Sequence, residues 1–194
     1  MTTPPRRFDT ATPWLRHRTA ACELVRLSDV AAADIVALHN NPRVLRHLPL
    51  AGARFDESGC TAWVQNKEAQ WDTNGYGPWG ILIDGAFAGW GGLQQETGDA
   101  DLALVLAPEY WGHGRAICRR IIDIAFAEMG LESITALLPP SRVRARGMLR
   151  LGFRADGQAE ICGSVFHRYR LWAPDRSLPA NGNPMPAHKP ASPA

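Results

Sequence analysis

Several features are scarce in this sequence, and each scarcity narrows what it encodes. No run of about 18 consecutive apolar residues occurs, so no membrane-spanning helix and no membrane partner are expected. The opening residues, Met1-Thr2-Thr3-Pro4-Pro5-Arg6-Arg7, lack the apolar stretch of a secretory signal. There are only four cysteines, Cys22, Cys60, Cys118 and Cys162, with no CxxC pair among them. Their wide spacing reads as buried, small apolar side chains in a reducing cytoplasm. His39 and His167 have no metal-ligand partner at helical spacing, so no metal is expected. The net charge is only +2, which argues against bulk binding to nucleic acid, and no DNA partner is expected.

What is present suffices for one core. Of 194 residues, 45% are hydrophobic, which suits a single domain. Residues 1–13 are polar and contain proline, and read as a flexible arm. Residues 174–194 carry six prolines and almost no large apolar groups. Such a tail cannot bury enough surface to offset its ordering entropy and is expected to be disordered. The folded part is placed at 14–173.

Within it, Leu24–Leu27 predicts a short strand and Ser28-Asp29 a helix start, with Asn40-Asn41-Pro42 as the stop. A second helix is predicted from about Asp56 to Asp72, anchored by Trp63, Val64 and Trp71. Trp79–Ile83 and Phe87–Leu93 flank Asp84-Gly85, a strong hairpin signal. A third meander strand covers Asp101–Leu106. Ile117, Ile121, Ile124 and Ala125 recur at helical spacing, with Gly130 where a C-cap belongs. Ser133–Leu138 predicts a strand, Arg142–Leu151 a short helix, and Phe153–Asp156 and Val165–Trp172 the last strands. The order is that of an α+β domain: helices, an antiparallel meander, then β-α-β-α-β.

The most informative segment is Pro108-Glu109-Tyr110-Trp111-Gly112-His113-Gly114-Arg115-Ala116. It lies between the predicted strand and a predicted helix. Gly112 and Gly114 remove side chains that would keep a bulky ligand off the backbone. The helix that follows is expected to offer free N–H groups and the positive end of its dipole, which suits a pyrophosphate.

Four blocks together make the chain resemble the GNAT N-acetyltransferases, and within them the RimJ/RimL-like branch that acetylates ribosomal-protein N-termini. They are Glu23–Val30, Asn41–Pro49, Pro108–Ala116, and Arg150–Arg154 with Gly157; the resemblance spans roughly residues 22–173. It implies a central mixed, mostly antiparallel sheet, about four flanking helices, and a V-shaped splay between two parallel strands, here Leu102–Leu106 and Ser133–Leu138. It further implies that acetyl-CoA lies in that V. Backbone groups of Leu104, Val105 and Leu106 would hold the thioester or pantetheine arm. The amides of Trp111, Gly112, His113, Gly114, Arg115 and Ala116 would hold the pyrophosphate. An amine would then attack directly, without an acyl-enzyme.

The amine is the discriminating part of that chemistry. At pH 7 an α-amine of pKa ~8 is roughly 10% neutral, whereas a lysine-like amine of pKa ~10.4 is neutral in only about 0.04% of molecules. Reaching the neutral form costs about 1.4 kcal/mol in the first case and about 4.6 in the second. Glu96, Asp99 and Asp101, near the start of the third meander strand, are the candidate bases; the other reading of each is a solvated turn residue. For the acid, the family's tyrosine on the short helix is replaced by Met148. Its usual Asn at the start of that helix is Ser141, and its small residue three positions later is Arg144. Ser141 would donate to the leaving thiolate, hold the pantetheine arm, or simply cap a helix. Arg144 falls, with Arg142, Arg146, Arg150 and Arg154, in a stretch free of Asp and Glu from Ser133 to Ala155. In the acetyltransferase reading some of these would sit near the CoA phosphates. His113 is expected to face solvent, and Trp79 and Trp90 are open to either an acceptor pocket or core packing. The expected partner is a small-molecule or peptide amine, and the expected assembly a monomer or homodimer. The alternative is a GNAT-fold module that binds acyl-CoA without efficient transfer.

Overall fold

The computed structural model describes residues 22–50, 55–139 and 146–174. The arm at 1–13, all but the first residue of the tail, and Ser141, Arg142 and Arg144 therefore fall outside the described residues. No helix among the described residues is long and apolar enough to cross a membrane.

One seven-stranded sheet organises the chain, in the order β1-β2-β3-β4-β5-β7-β6. Its meander is β1 (Cys22–Val25), β2 (Pro78–Ile83), β3 (Ala86–Glu96) and β4 (Asp99–Leu106), all antiparallel neighbours. Asp84 and Gly85 turn β2 into β3 with φ of 51° and 79°, the left-handed pair that a two-residue hairpin requires. β5 (Ser133–Leu138) then lies parallel to β4, and β6 (Arg154–Ile161) and β7 (Ser164–Trp172) close the sheet as an antiparallel hairpin. A parallel pair needs a crossover. Here α4 (Gly114–Asp123) supplies it, prolonged by a π turn at Ile124–Glu128.

The remaining helices are α1 (Ala32–His39), α2 (Pro42–Leu45), α3 (Glu57–Asn74) and α5 (Arg146–Arg150). That makes five α-helices among the described residues against the four or so expected. The extra one arises because Asn41-Pro42 ends α1 and also starts α2: Asn41 Oδ1 accepts from Arg43 N–H at 2.9 Å, with Pro42 at the first helical position. Ser28-Asp29 does not begin α1. It belongs to a 3-10 turn, Leu27–Asp29, because the Ser28 N–H donates to Glu68 on α3. Asp56 caps α3 by accepting from Gly59 N–H at 2.8 Å, and Gly75 at φ 75° terminates it. The described part of the helix expected at Arg142–Leu151 is α5. β6 runs to Ile161, past the expected Asp156, because a register shift between Ala155 and Gln158 breaks the alternation that marks a strand.

The cysteines depart from expectation in part. Cys60 and Cys118 are buried, Cys22 is half-buried, and Cys162 is exposed. Cys162 sits with Gly163 at the tip of the β6–β7 hairpin, φ 48° and 75°, where no core reaches it.

Both faces of the sheet are covered. On one, Ile117, Ile121 and Ile124 meet Leu102, Leu106 and Ile134. On the other, Leu27, Ile35, Leu38 and Cys60 meet Trp90 and Val105. Each buried side chain of this size contributes about 1.5–3 kcal/mol of transfer free energy. β3 and β4 approach closely at Gly89, φ 147°, where an added Cβ would lie 2.1 Å from the Val105 carbonyl oxygen. Gly89→Ala is therefore expected to lower stability by about 2–3 kcal/mol in urea unfolding, and a loss under about 0.5 kcal/mol would contradict this close approach.

Candidate active site

β4 and β5 are paired at one position only, Asp101 opposite Thr135. Beyond it the strands part, with the Asp101 side chain at the point of parting. The Thr135 hydroxyl donates to Asp101 Oδ1 at 3.2 Å, and the Leu137 N–H favours the charged form of the same carboxyl group. In a continuing parallel ladder that N–H would donate to a β4 carbonyl. Here it faces the Asp101 carboxyl, and a fork opens in the sheet.

Strand alternation sets what faces the fork. Ala107 N–H donates to Ala88 of β3, so Val105 and Ala103 also turn their backbone groups toward β3. Leu104 and Leu106 turn theirs to the opened side, and the Leu106 carbonyl accepts there from the Trp111 indole at 2.9 Å. The fork leads into a cavity of about 970 Å3. That is within the size range of small-molecule and cofactor sites.

Electrostatics single out Asp101. Its side chain is 3% exposed, and burial is the main cause that pushes its carboxyl from the ordinary 3.8 up to about 7. The Glu96 and Asp99 carboxylates push the same way, against the hydrogen bonds from Thr135 and Leu137. Glu96 is half-buried and lines the same cavity. Asp99 is committed elsewhere: its two oxygens accept from Arg170 at 2.9 and 2.7 Å, and Arg170 also donates to Asp156 on β6. That pairing removes Asp99 from the candidate bases.

The other expected residues divide. Leu104, Val105, Leu106, Trp111, Gly114 and Arg115 line the cavity. Gly112, His113 and Ala116 are exposed at its rim, outside the lining. Ser141 and Arg144 lie outside the described residues. Met148 lines the cavity at the place where the family resemblance leads one to expect tyrosine.

The glycine segment between strand and helix is itself helical. Pro108–His113 is a 3-10 helix running straight into α4, and the Gly114 N–H already donates to the Trp111 carbonyl. Fewer amides are left for an anion than expected. Neither glycine has a positive φ, and a Cβ on Gly112 would meet nothing within 4 Å. A Cβ on Gly114 would make only ordinary contacts, at 3.7 and 3.9 Å, with Leu104 and Leu106. Folding therefore does not require glycine here, and the space above Gly112 is available to a ligand.

Of one wall of the cavity, sequence reasoning offered Trp90 alone and missed the rest. His39, Phe55, Trp63 and Trp90 form an aromatic group around the Lys67 ammonium. His39 Nε2 accepts from the Trp90 indole N–H at 3.0 Å, and burial, helped by Lys67, lowers its pKa to about 4, so it is neutral. The signal was present in the spacing: Trp63 and Lys67 are four apart on α3, as are Ile35 and His39 on α1. Of the two tryptophans left open, Trp90 lines the cavity. Trp79 is core, packed on Trp71 with ring centroids 4.8 Å apart.

A raised carboxyl pKa has a stability consequence of definite sign. Between about pH 4 and 7 folded Asp101 keeps a proton that the unfolded chain has released. Its burial is free below the lower value and costs progressively more up to pH 7, on the order of 4 kcal/mol. The melting temperature of Asp101→Asn relative to wild type is therefore expected to rise from pH 4 to pH 8. A difference that stays flat or falls across that range would show that the carboxyl is not held near pKa 7.

Comparison with known proteins follows the same lines. A family profile described as "Acetyltransferase (GNAT) domain" matches residues 23–154. Among solved structures, the fold resembles that of the microcin C7 self-immunity acetyltransferase in complex with acetyl-CoA and AMP. The TM-score is 0.67 and the identity 14%, with 83% of this chain and 97% of that one covered. A spermidine N-acetyltransferase chimera from Vibrio cholerae matches with TM-score 0.62 and 15% identity, over 78% and 95% of the two chains. A Vibrio cholerae protein provisionally described as a ribosomal-protein-serine acetyltransferase matches with TM-score 0.62 and 16% identity, over 83% and 99%.

Proposed function

The chain belongs to the GNAT acetyltransferase family, and from that premise we propose that it moves the acetyl group of acetyl-CoA directly to a primary amine in the forked cleft. The observation that carries this reading is the fork itself, with a buried carboxyl of pKa about 7 at its apex, opening on a cavity large enough for two substrates. In this reading the backbone groups of Leu104 and Leu106 hold the pantetheine arm. Trp111, Gly112, His113, Gly114, Arg115 and Ala116 take the pyrophosphate, with Arg115 supplying charge.

The acceptor nitrogen attacks the thioester carbonyl carbon. The C–S bond breaks, the thiolate leaves with the electron pair, and the amine proton passes to Asp101. A carboxylate at 3.8 would be a poor acceptor for that proton; one near 7 is matched to neutral pH. Glu96, half-buried on the same face, relays the proton onward. The leaving thiol has an ordinary pKa near ~8.5 and takes its proton from water or from Ser141, so the absence of tyrosine at Met148 does not block the reaction. Arg144 joins Arg115 on the CoA phosphates.

The finer reading is an enzyme of the RimJ/RimL-like branch, working in the cytoplasm as a monomer or homodimer on a protein α-amine or a small amine. It is supported by the four sequence blocks, three of which meet at the cleft: Arg43 lies over the Trp111 ring at 4.9 Å, His47 packs edge-on to it, and Leu151 lines the same cavity. One observation favours a second reading, an acyl-CoA-binding module without efficient transfer: Met148 supplies no proton where the family's acid would stand.

Release of CoA thiol on adding amines separates the two. The expected result is turnover whose kcat/KM rises through an inflection near pH 7. Asp101→Asn should lower kcat by about 10²–10⁴-fold and remove that inflection, with acetyl-CoA affinity by calorimetry retained. Activity above a tenth of wild type in the variant would rule out Asp101 as the base. Binding without turnover on any amine would establish the module.

A further inference from the structure

The acceptor side of the cavity has its own chemistry. Lys67, on α3, reaches across to β3 and donates to Gln94 Oε1 at 2.6 Å. Its ammonium lies 5.8 Å from the Trp63 ring centroid and 5.5 Å from that of Trp90, within cation–π range. An ammonium has three donors. Among the described residues one is used, and no carboxylate closes an ion pair on it. Burial lowers its pKa, while the Glu96 and Asp101 carboxyls favour the charged form. A half-enclosed cation with spare donors, walled by aromatic faces, is a receptor for an anion attached to an apolar group.

Its position relative to the reacting centre is fixed by the sheet. Gln94, which holds Lys67, is the cross-strand partner of Asp101. Directly opposed residues on one face have Cβ atoms about 5 Å apart. The cation and the proposed base are thus one side chain apart in the same cavity. An amine presented to Asp101 would bring a carboxylate on the adjacent carbon toward Lys67, and its side chain toward Trp63, Trp90 and Phe55.

Resting on the acetyltransferase reading, we infer that the acceptor is a zwitterionic amine of the α-amino-acid type with an aromatic or large apolar side chain, held by its carboxylate on Lys67. A polyamine is disfavoured, because Lys67 would repel its second charge.

The test uses matched amines with acetyl-CoA: phenylalanine against phenethylamine, which lacks only the carboxylate, with spermidine and a phenylalanine-initiated peptide amide alongside. Phenylalanine is expected to exceed the other three in kcat/KM by about tenfold or more, as a charge-assisted contact would give. Lys67→Gln should bring phenylalanine and phenethylamine within about twofold of each other, chiefly by raising KM for phenylalanine. Lys67→Arg should keep the preference, which guards against a variant that merely misfolds. Equal or better turnover of phenethylamine, the peptide or spermidine by the wild type would overturn the inference and leave the transferase reading standing. A preference untouched by Lys67→Gln would do the same. No thiol release with any of the four, with acetyl-CoA still bound, would overturn the transferase reading itself and this inference with it.

Discussion

The structure depends on one buried carboxyl. Asp101 stands where two parallel strands would otherwise continue their ladder, and its carboxyl faces the Leu137 N–H that the ladder would have used. At that point the sheet forks, and the Leu104 and Leu106 backbone groups face open space. Burial there raises the carboxyl pKa to about 7, against the hydrogen bonds that favour its charged form. The geometry that makes room for a substrate and the electrostatics that make a base thus meet at one residue.

The rest of the fold holds that arrangement against its cost. α4 and its π turn clamp one face of β4 and β5, while α1 and α3 pack on the other face of β3 and β4. Arg170 ties Asp99, at the start of β4, to Asp156 on β6. The parted strands are thereby held together below the fork through side chains as well as through the sheet. The same pairing occupies the carboxylate two residues from Asp101, and Asp101 is the deeply buried acid at the apex.

Much of this was legible in the sequence wherever the signal was local. Asp84-Gly85 dictated its hairpin, because few residue pairs accept two positive φ values. The helix expected from about Asp56 to Asp72 forms as α3, two residues longer at its end, and the isoleucine spacing of α4 marked its buried face. The cleft residues Asp101, Glu96, Leu104 to Leu106, Trp111, Gly114 and Arg115 were read from motif and resemblance. What was not legible depends on register and on packing between distant segments. No local pattern reveals that β4 and β5 pair at one position, or that His39, Lys67 and Trp90 converge from three elements with Phe55 from the segment before α3. The glycine segment was expected to leave room for a ligand, and the space above Gly112 agrees with that; that its backbone is helical was not legible.

Hydrogen–deuterium exchange with and without acetyl-CoA tests the central claim most directly, because it reads the backbone amides that the fork exposes. The account predicts that acetyl-CoA slows exchange at Leu104, Leu106 and the segment from Trp111 to Ala116, with little change in the β6–β7 hairpin. Slowing confined to other segments, or none at a concentration that saturates the protein, would contradict the claim that the Asp101 fork is the substrate cleft.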